Sequence, residues 1–161
     1  MEGKTFEILN SKSNQKDTNK GIDVCGLRLV AEINEVLKPM IDRGETPRIY
    51  MAGHAMGGLI CRFAIGYLFQ LGALKQTTLC TYMSICSPHL GIRAPSRKIL
   101  RSWMHAVSHM TGLSDRQLTY EDSKNGSEPL LAEMADPTKE FYKALDAFKT
   151  RICMGVSEYD S

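Results

Sequence analysis

Several absences narrow what this 161-residue chain can be. It has no apolar run near the roughly 20 residues that a helix needs to cross a bilayer, so we expect no transmembrane segment. The five cysteines are odd in number and form no C-x-x-C pair, which argues against a disulfide framework and a zinc site. The G-x-x-x-x-G-K-[ST] loop of nucleotide-binding proteins is also missing. We therefore predict neither a metal nor a cofactor.

Charge gives no hint of a nucleic-acid partner, because 20 Lys and Arg residues against 18 Asp and Glu residues leave a net charge of +2. The first ten residues are polar and charged, so we expect no secretory signal peptide. All five cysteines lie in apolar patterns and are predicted to be buried free thiols in a reducing, cytoplasmic setting. They are Cys25, Cys61, Cys80, Cys86 and Cys153. The length fits a single domain over residues 1–161.

The stretch from residue 48 to residue 60 organises the chain. A β-rich run, 48–52, meets a small-residue turn and then an apolar helical pattern. Gly53 and Gly57 flank position 55 with the G-x-S-x-G spacing of the nucleophile elbow of α/β-hydrolases. There the flanking residues must be small so that strand and helix can approach, and the helix N-terminus offers N–H groups to an oxyanion. Position 55 is alanine, whose methyl group cannot attack a carbonyl.

The same residues allow a second interpretation, a glycine-rich strand–helix turn in another α/β domain with the glycines present for close packing. Further strand and helix patterns alternate around the turn, which predicts a parallel sheet with ligands at the carboxyl ends of its strands. That places Ala55, Ser87 and Pro88 at one rim. The predicted strands are 5–9, 48–52, 77–86 and 151–156. The predicted helices are 23–40 (with Pro39 kinking or ending it), 59–71 (with Gly72 as C-cap), 130–134 and 138–149 (with Thr138 as N-cap).

Residues 91–128 break this alternation. A basic run is followed by an amphipathic pattern that contains Trp103. One interpretation is a cap or lid inserted over the site, and another is a surface helix packed on the sheet. A third is peripheral contact with a membrane surface through the basic, tryptophan-containing helix. His105 and His109 lie four apart on one helical face, but they lack a third ligand at metal-binding spacing.

Six stretches, taken together and in order, resemble the serine esterase family of lipase-like α/β-hydrolases. They are residues 21–29, 50–65, 87–91, 128–131, 147–151 and 159–160. The resemblance implies an α/β-hydrolase fold, a mostly parallel sheet with flanking helices, here incomplete or truncated. It also implies a Ser–Asp–His triad and a lipid or other hydrophobic acyl ester as substrate.

Carried over position by position, the resemblance puts Ala55 at the nucleophile position and Asp160 at the triad acid. The N–H of Met56 would be one oxyanion donor. His54 is interpreted as fixing the turn, with substrate contact as its other role, and His89 as holding the rim loop or contacting substrate. The triad histidine follows the acid in this fold, and none of the four histidines does so here.

These residues leave three functional hypotheses. The first is a lipase-like ester hydrolase that is inactive as written, because Ala55 replaces the nucleophile. The second is a natural pseudoenzyme that binds a lipid or a protein without turnover. The third is a purely structural or interaction domain with an empty rim.

Overall fold

A computed structural model of the chain describes residues 6–92, 112–123 and 126–155. Helices and strands alternate along most of it, preceded by a short 3-10 helix at Thr18–Lys20. The strands are β1 (Arg48–His54), β2 (Thr78–Ile85) and β3 (Thr150–Met154), and the α-helices are α1 (Ile22–Asp42), α2 (Met56–Gln70), α3 (Leu113–Leu118), α4 (Leu130–Ala135) and α5 (Glu140–Asp146).

The three strands form one parallel sheet in the order β1-β2-β3. In this register Gly53 lies opposite Ser84, and Ser84 lies opposite Cys153. All three strands therefore end at the same edge of the sheet. The predicted α/β class with a mostly parallel sheet and flanking helices is confirmed.

One face of the sheet is covered by helices. The apolar helix α2 packs on β1 and β2, and it also contacts α1 and α5. Side chains from all these elements form the main core, in which the largest buried ring is that of Tyr82. The central members of the core are Leu29, Ile33, Ile65, Leu68, Leu79, Tyr82 and Phe148. Because the strands alternate, Ile49 and Met51 of β1 join this covered face.

The described residues leave the opposite face of the sheet open. Tyr50 of β1 is 57% exposed and Met154 of β3 is 54% exposed. Between them, Met83, Ile85 and Ile152 are half-buried. Strands of a parallel sheet are usually covered on both faces, whereas the described residues cover only one face of this sheet.

In the first half of the chain, one prediction is wrong and another is wrong in one of its two alternatives. Residues 6–9 of the predicted strand 5–9 form no strand, because an alternating pattern makes a strand only where a partner strand supplies its hydrogen bonds. Pro39 lies within α1, which continues to Asp42. Pro39 therefore does not end the helix, although its missing N–H removes one intrahelical hydrogen bond. A kink at Pro39 stays a prediction.

The helix ends were predicted with mixed success. Gly72 follows the C-cap of α2 with φ +69°, and its N–H donates to the Phe69 carbonyl at 2.9 Å, so its role in ending the helix is confirmed. Thr138 is not the N-cap of α5, because Lys139 occupies that position. The Thr138 N–H and hydroxyl both donate to the Asp136 carboxylate instead, at 2.8 and 2.7 Å.

Candidate active site

The bend between β1 and α2 is centred on Ala55, and residues 53–58 are named the Ala55 turn. Ala55 has φ 49° and ψ −124°, a combination that residues other than glycine rarely adopt and that costs of order 1–3 kcal/mol. Its N–H donates to the carbonyl of Ile85, the last residue of β2, at 2.8 Å. Its carbonyl accepts from the Gly58 N–H at 3.2 Å. The neighbouring strand and the helix thus hold the strained conformation.

Two of the three glycines in the Ala55 turn are needed for close packing. A Cβ at Gly53 would lie 2.5 Å from the Gly58 nitrogen and 2.6 Å from the Gly57 carbonyl. A Cβ at Gly58 would lie 2.1 Å from the Ser87 Oγ, whereas a Cβ at Gly57 would have no described atom within 4 Å. The prediction that both glycines flanking position 55 serve close packing is correct for Gly53 and wrong for Gly57. Gly58 takes that second role.

Helix α2 begins at Met56, immediately after Ala55. The first N–H groups of a helix have no intrahelical acceptor, and its N-terminus carries partial positive charge. Strand β2 is fastened to the same helical turn, because the Tyr82 hydroxyl donates to the Gly58 carbonyl at 2.7 Å. Burial, reinforced by the nearby Cys61, raises the pKa of Tyr82 above its ordinary value of 10, so the hydroxyl keeps its proton.

A second turn with a positive φ angle follows β2, at Cys86. Cys86 has φ 50°, and its N–H donates to the carbonyl of Met154, the last residue of β3, at 2.7 Å. The chain then continues into Ser87 and Pro88 rather than into a helix. This turn and the end of β3 border an open cavity of about 320 Å³, lined by Ser84, Cys86, Ser87, Pro88, His89, Cys153, Met154 and Gly155.

Three polar side chains meet at this cavity. The Ser84 Oγ lies 2.9 Å from the His89 Nε2 and 3.3 Å from the Cys153 Sγ. Because Ser84 and Cys153 are paired across β2 and β3, the sheet register itself brings the hydroxyl and the thiol together. Ser84 is only 1% exposed, so its hydroxyl bridges the other two groups rather than acting as an exposed nucleophile.

His89 is neutral at neutral pH. Burial first, and then the positive charge of Arg62, lower the pKa of His89 below its ordinary value of 6.5. The Nδ1 of His89 is buried without a hydrogen-bond partner in the described part of the chain. Arg62, which is 5% exposed, donates to the Met134 carbonyl at the C-terminal end of α4. Carbonyls at that end of a helix lack intrahelical donors, so the guanidinium helps to cap α4.

The five thiols divide into two groups. Cys25, Cys61 and Cys80 are buried as predicted, and burial raises the pKa of Cys61 to about 11. Cys86 is half-buried and Cys153 is exposed, and both line the cavity. The prediction of burial is wrong for these two because they lie at the open carboxyl edge of the sheet.

Within residues 6–92, 112–123 and 126–155, no group of three or more His, Cys, Asp or Glu side chains could hold a metal ion. None of the described helices has the length and apolar character needed to cross a bilayer.

Comparison with protein-family models matches residues 1–161 to the family described as "Putative serine esterase (DUF676)". The chain belongs to this family. With that identity, its three-stranded parallel sheet and flanking helices are an incomplete α/β-hydrolase-like fold. No solved structure matches the chain.

Curated proteins that are similar to this chain carry lipase names. It is 28% identical over 148 residues to "Putative lipase C4A8.10" of Schizosaccharomyces pombe. It is 27% identical over 140 residues to "Putative lipase YDL109C" and 28% identical over 125 residues to "Putative lipase ROG1", both of Saccharomyces cerevisiae. These alignments cover 86%, 86% and 74% of this chain but 18%, 20% and 17% of the relatives. The chain therefore spans about a fifth of their length.

The site residues predicted for the serine esterase family chain fall in three places. Ala55 and Met56 lie together in the Ala55 turn, with the exposed His54 as the last residue of β1. His89 lies at the cavity beside that turn. Asp160 lies outside the described residues, as do Trp103, His105, His109 and most of the predicted cap, 91–128. The described part of that segment includes helix α3.

Three residues that build the site were not predicted from the sequence. Ser84 is a polar residue on the buried side of an apolar strand, and Arg62 is a lone charge in an otherwise apolar helix. Both are unusual enough to have been singled out, because buried polar groups need partners. Cys153 gave no such signal, because its role depends on pairing with Ser84 across the sheet.

Proposed function

We propose that the Ala55 turn is the nucleophile elbow of a lipase-like serine hydrolase domain, with Ala55 in the position of the nucleophile. The observation that carries this proposal is the strained backbone of Ala55, φ 49° and ψ −124°, between a strand and a helix. The packing of Gly53 against the backbone of Gly57 and Gly58 supports it. Such a bend places one side chain at the carboxyl edge of the sheet, where an attacking group is needed.

Each remaining role follows from position. The Met56 N–H, at the start of α2, would donate to the oxyanion of a tetrahedral intermediate. Asp160 would be the triad acid, and His54 and His89 would contact the substrate. The substrate would be a lipid or another hydrophobic ester, which the family description and the names of the relatives support.

The chain as written would not hydrolyse esters. Acyl transfer by this route requires a bond between an attacking oxygen and the carbonyl carbon of the substrate, and the Ala55 methyl group has no lone pair to form it. The N–H groups of the turn would remain, so an ester could still bind without being cleaved.

A fluorophosphonate probe tests this proposal, because it forms a covalent bond only with an activated hydroxyl. In a longer parent chain that supplies the triad histidine, we expect a stoichiometric adduct at position 55 of the Ala55→Ser variant and none when position 55 is alanine. Ala52→Ser is the matched control, because it adds a serine to β1 outside the turn. Labelling of the unaltered chain, or equal labelling of the two variants, would contradict the proposal.

Esterase activity provides a second test, which uses a longer parent chain that supplies the triad histidine. There Ala55→Ser should raise kcat on a short-chain aryl ester by up to about 10⁶-fold, the scale of losing a catalytic serine. A folded Ala55→Ser variant of the parent chain without esterase activity would contradict the proposed hydrolase function.

Ala55 itself favours a second function, a pseudoenzyme that binds a lipid or a protein. The strained turn persists although its central residue cannot react, and a binding role would account for that. Under this alternative, ester analogues raise the melting temperature of the chain as written, while the restored serine yields no turnover.

A further inference from the structure

Two thiols line the open cavity at the ends of β2 and β3, and their surroundings differ. Cys153 is exposed, and its Sγ lies 3.3 Å from the Ser84 Oγ. The same hydroxyl lies 2.9 Å from the His89 Nε2. The half-buried Cys86 has no side-chain hydrogen bond to any described residue. Thiol, hydroxyl and imidazole of the first group form a connected series, which we name the Cys153 relay.

The sheet and the loop after it hold the Cys153 relay in place. Ser84 and Cys153 are paired across β2 and β3, and Ser84 is 1% exposed, so its hydroxyl is fixed between its two partners. The His89 ring lies against the Tyr82 ring, with centroids 6.4 Å apart. The His89 N–H donates to the Ser87 carbonyl at 2.9 Å. The three groups are therefore positioned before any reactant arrives.

A buried positive charge lies near the sulfur. Arg62 makes no ion pair with a described carboxylate, and its Nε has no hydrogen-bond partner among the described residues. Burial lowers the pKa of Arg62, whereas negative charge on nearby groups, Cys153 among them, would raise it. Attraction between opposite charges is stronger in poorly hydrated surroundings than in water. The position of Arg62 thus favours negative charge developing on the Cys153 sulfur.

The imidazole of the Cys153 relay is able to accept a proton. Burial first, and then Arg62, lower the pKa of His89, and a neutral imidazole has one acceptor nitrogen. One proton can pass from the thiol to the Ser84 Oγ while the Ser84 proton passes to Nε2. This exchange yields a thiolate, which is the nucleophilic form of cysteine, without moving a heavy atom.

The cavity favours an uncharged reactant, because its described lining contains no Lys, Arg, Asp or Glu. A group that first takes a proton and then returns it suits a reaction whose leaving oxygen needs one. Hydrogen peroxide and other hydroperoxides are uncharged and have such a leaving oxygen, whereas the thiolate that leaves a disulfide needs no proton.

We propose that Cys153 is an oxidative modification site for hydroperoxides, with Ser84 and His89 relaying its proton. The sulfur attacks one peroxide oxygen, so that a sulfur–oxygen bond forms and the oxygen–oxygen bond breaks. The proton held by His89 returns through Ser84 to the leaving oxygen. Thiol and hydrogen peroxide become sulfenic acid and water, with the sulfur oxidised and the peroxide reduced. The proposal is independent of the hydrolase function, since no step involves the Ala55 turn.

Trapping of the sulfenic acid measures this reaction directly. Dimedone forms a carbon–sulfur bond with a sulfenic acid and releases water, and peptide mass spectrometry then gives a rate for each cysteine in one sample. With hydrogen peroxide at neutral pH, Cys153 of the chain as written should be modified about tenfold faster than Cys86. Equal rates at the two thiols, or no adduct at Cys153, would overturn the proposal.

Two variants interrupt the Cys153 relay at different points. Ser84→Ala removes the hydroxyl, and His89→Gln keeps a side chain that can bond to Ser84 but cannot take up its proton. Each should slow the modification of Cys153 about tenfold at neutral pH. Ser87→Ala is the matched control, because it removes the other hydroxyl of the cavity, and it should leave the rate unchanged. Equal rates in all three variants would contradict the relay.

Alkali separates proton transfer from simple access to the thiol. At about one unit above the ordinary thiol pKa of about 8.5, most thiols are ionised without help. There the two relay variants should react within about twofold of the chain as written, since the relay is no longer needed. A loss that is as large in alkali as at neutral pH would show that Ser84 and His89 only shape the cavity, and would overturn the proposal. Melting curves at both pH values establish that each variant is folded, and His89→Gln provides the test without altering the strand.

Discussion

The turns at Ala55 and Cys86 share a positive φ angle but lead into different structures. Each comes directly after a parallel strand, each has a non-glycine residue near φ 50°, and each donates its N–H to the last residue of the next strand. Ala55 opens directly into helix α2, whereas Cys86 is followed by Ser87 and Pro88. A strained residue at a strand end is therefore not enough to mark a nucleophile position.

The two turns differ in that helix α2 follows the Ala55 turn directly, whereas no helix follows Cys86 directly. Of these two turns, only the Ala55 turn has helix N-terminal N–H groups beside the strained residue, and such groups can stabilise an oxyanion. Cys86 carries a nucleophilic atom, but the proline two residues later has no N–H to offer. In this chain the helix N-terminus and the nucleophilic sulfur of Cys86 therefore lie in different turns.

Exchanging the glycines of the Ala55 turn should give the largest effect on stability. Gly53→Ala would push a methyl group against the Gly57 and Gly58 backbone, and we expect a loss of about 3 kcal/mol in the free energy of unfolding. Gly57→Ala is the control and should cost nothing, since alanine is favoured over glycine in a helix by about 1 kcal/mol. Urea denaturation measures both. Equal losses would show that the packing of the turn is misassigned.

Relieving the strain should have a smaller effect, and a similar one in both turns. Ala55→Gly and Cys86→Gly each remove a side chain from a left-handed conformation, which should stabilise the protein by about 1 kcal/mol after the added chain entropy of glycine. For a chain of this size that is a rise of about 3 °C in Tm. If only one of the two substitutions raises Tm, the two turns are not equally strained.

Lowering the pH should destabilise the protein through His89, which lies near the Cys86 turn. We expect this to be the smallest of the three effects on stability. Because the pKa of His89 is lowered in the folded protein, the unfolded chain binds the proton more tightly. Stability contributed by the neutral ring is present above the ordinary pKa of 6.5 and is lost as the pH falls through the lower folded value. Urea denaturation at a series of pH values from neutral to mildly acidic checks this. His89→Gln, which can still bond to Ser84, should flatten the slope, and an unchanged slope would contradict the assignment.

Local patterns predicted most of the fold. The strand at 48–52, the helix after it and the strand at 77–86 follow from apolar periodicity and glycine positions, and the structure has all three. Residues 6–9 fail because strand formation depends on a distant partner. Pro39 was given too much weight as a helix end, because the helix continues beyond it to Asp42.

The site was predictable only where it is local. Glycine spacing predicted the bend at Ala55 and the helix after it, because the strand, the bend and the helix are contiguous in sequence. The contact between Ser84 and Cys153 joins residues 69 positions apart, and it depends on a strand register that no local pattern specifies. The same limit explains why Gly57 was given the packing role of its neighbour Gly58.

The hydrogen bond from Tyr82 to Gly58 gives the protein an internal optical reporter. In alkali, free tyrosine becomes phenolate and its ultraviolet absorption shifts to longer wavelength. Tyr82 should stay silent in that titration for as long as β2 remains fastened to the first turn of α2, because its hydroxyl is buried and engaged. A late step in absorbance during the titration would therefore report the separation of β2 from α2.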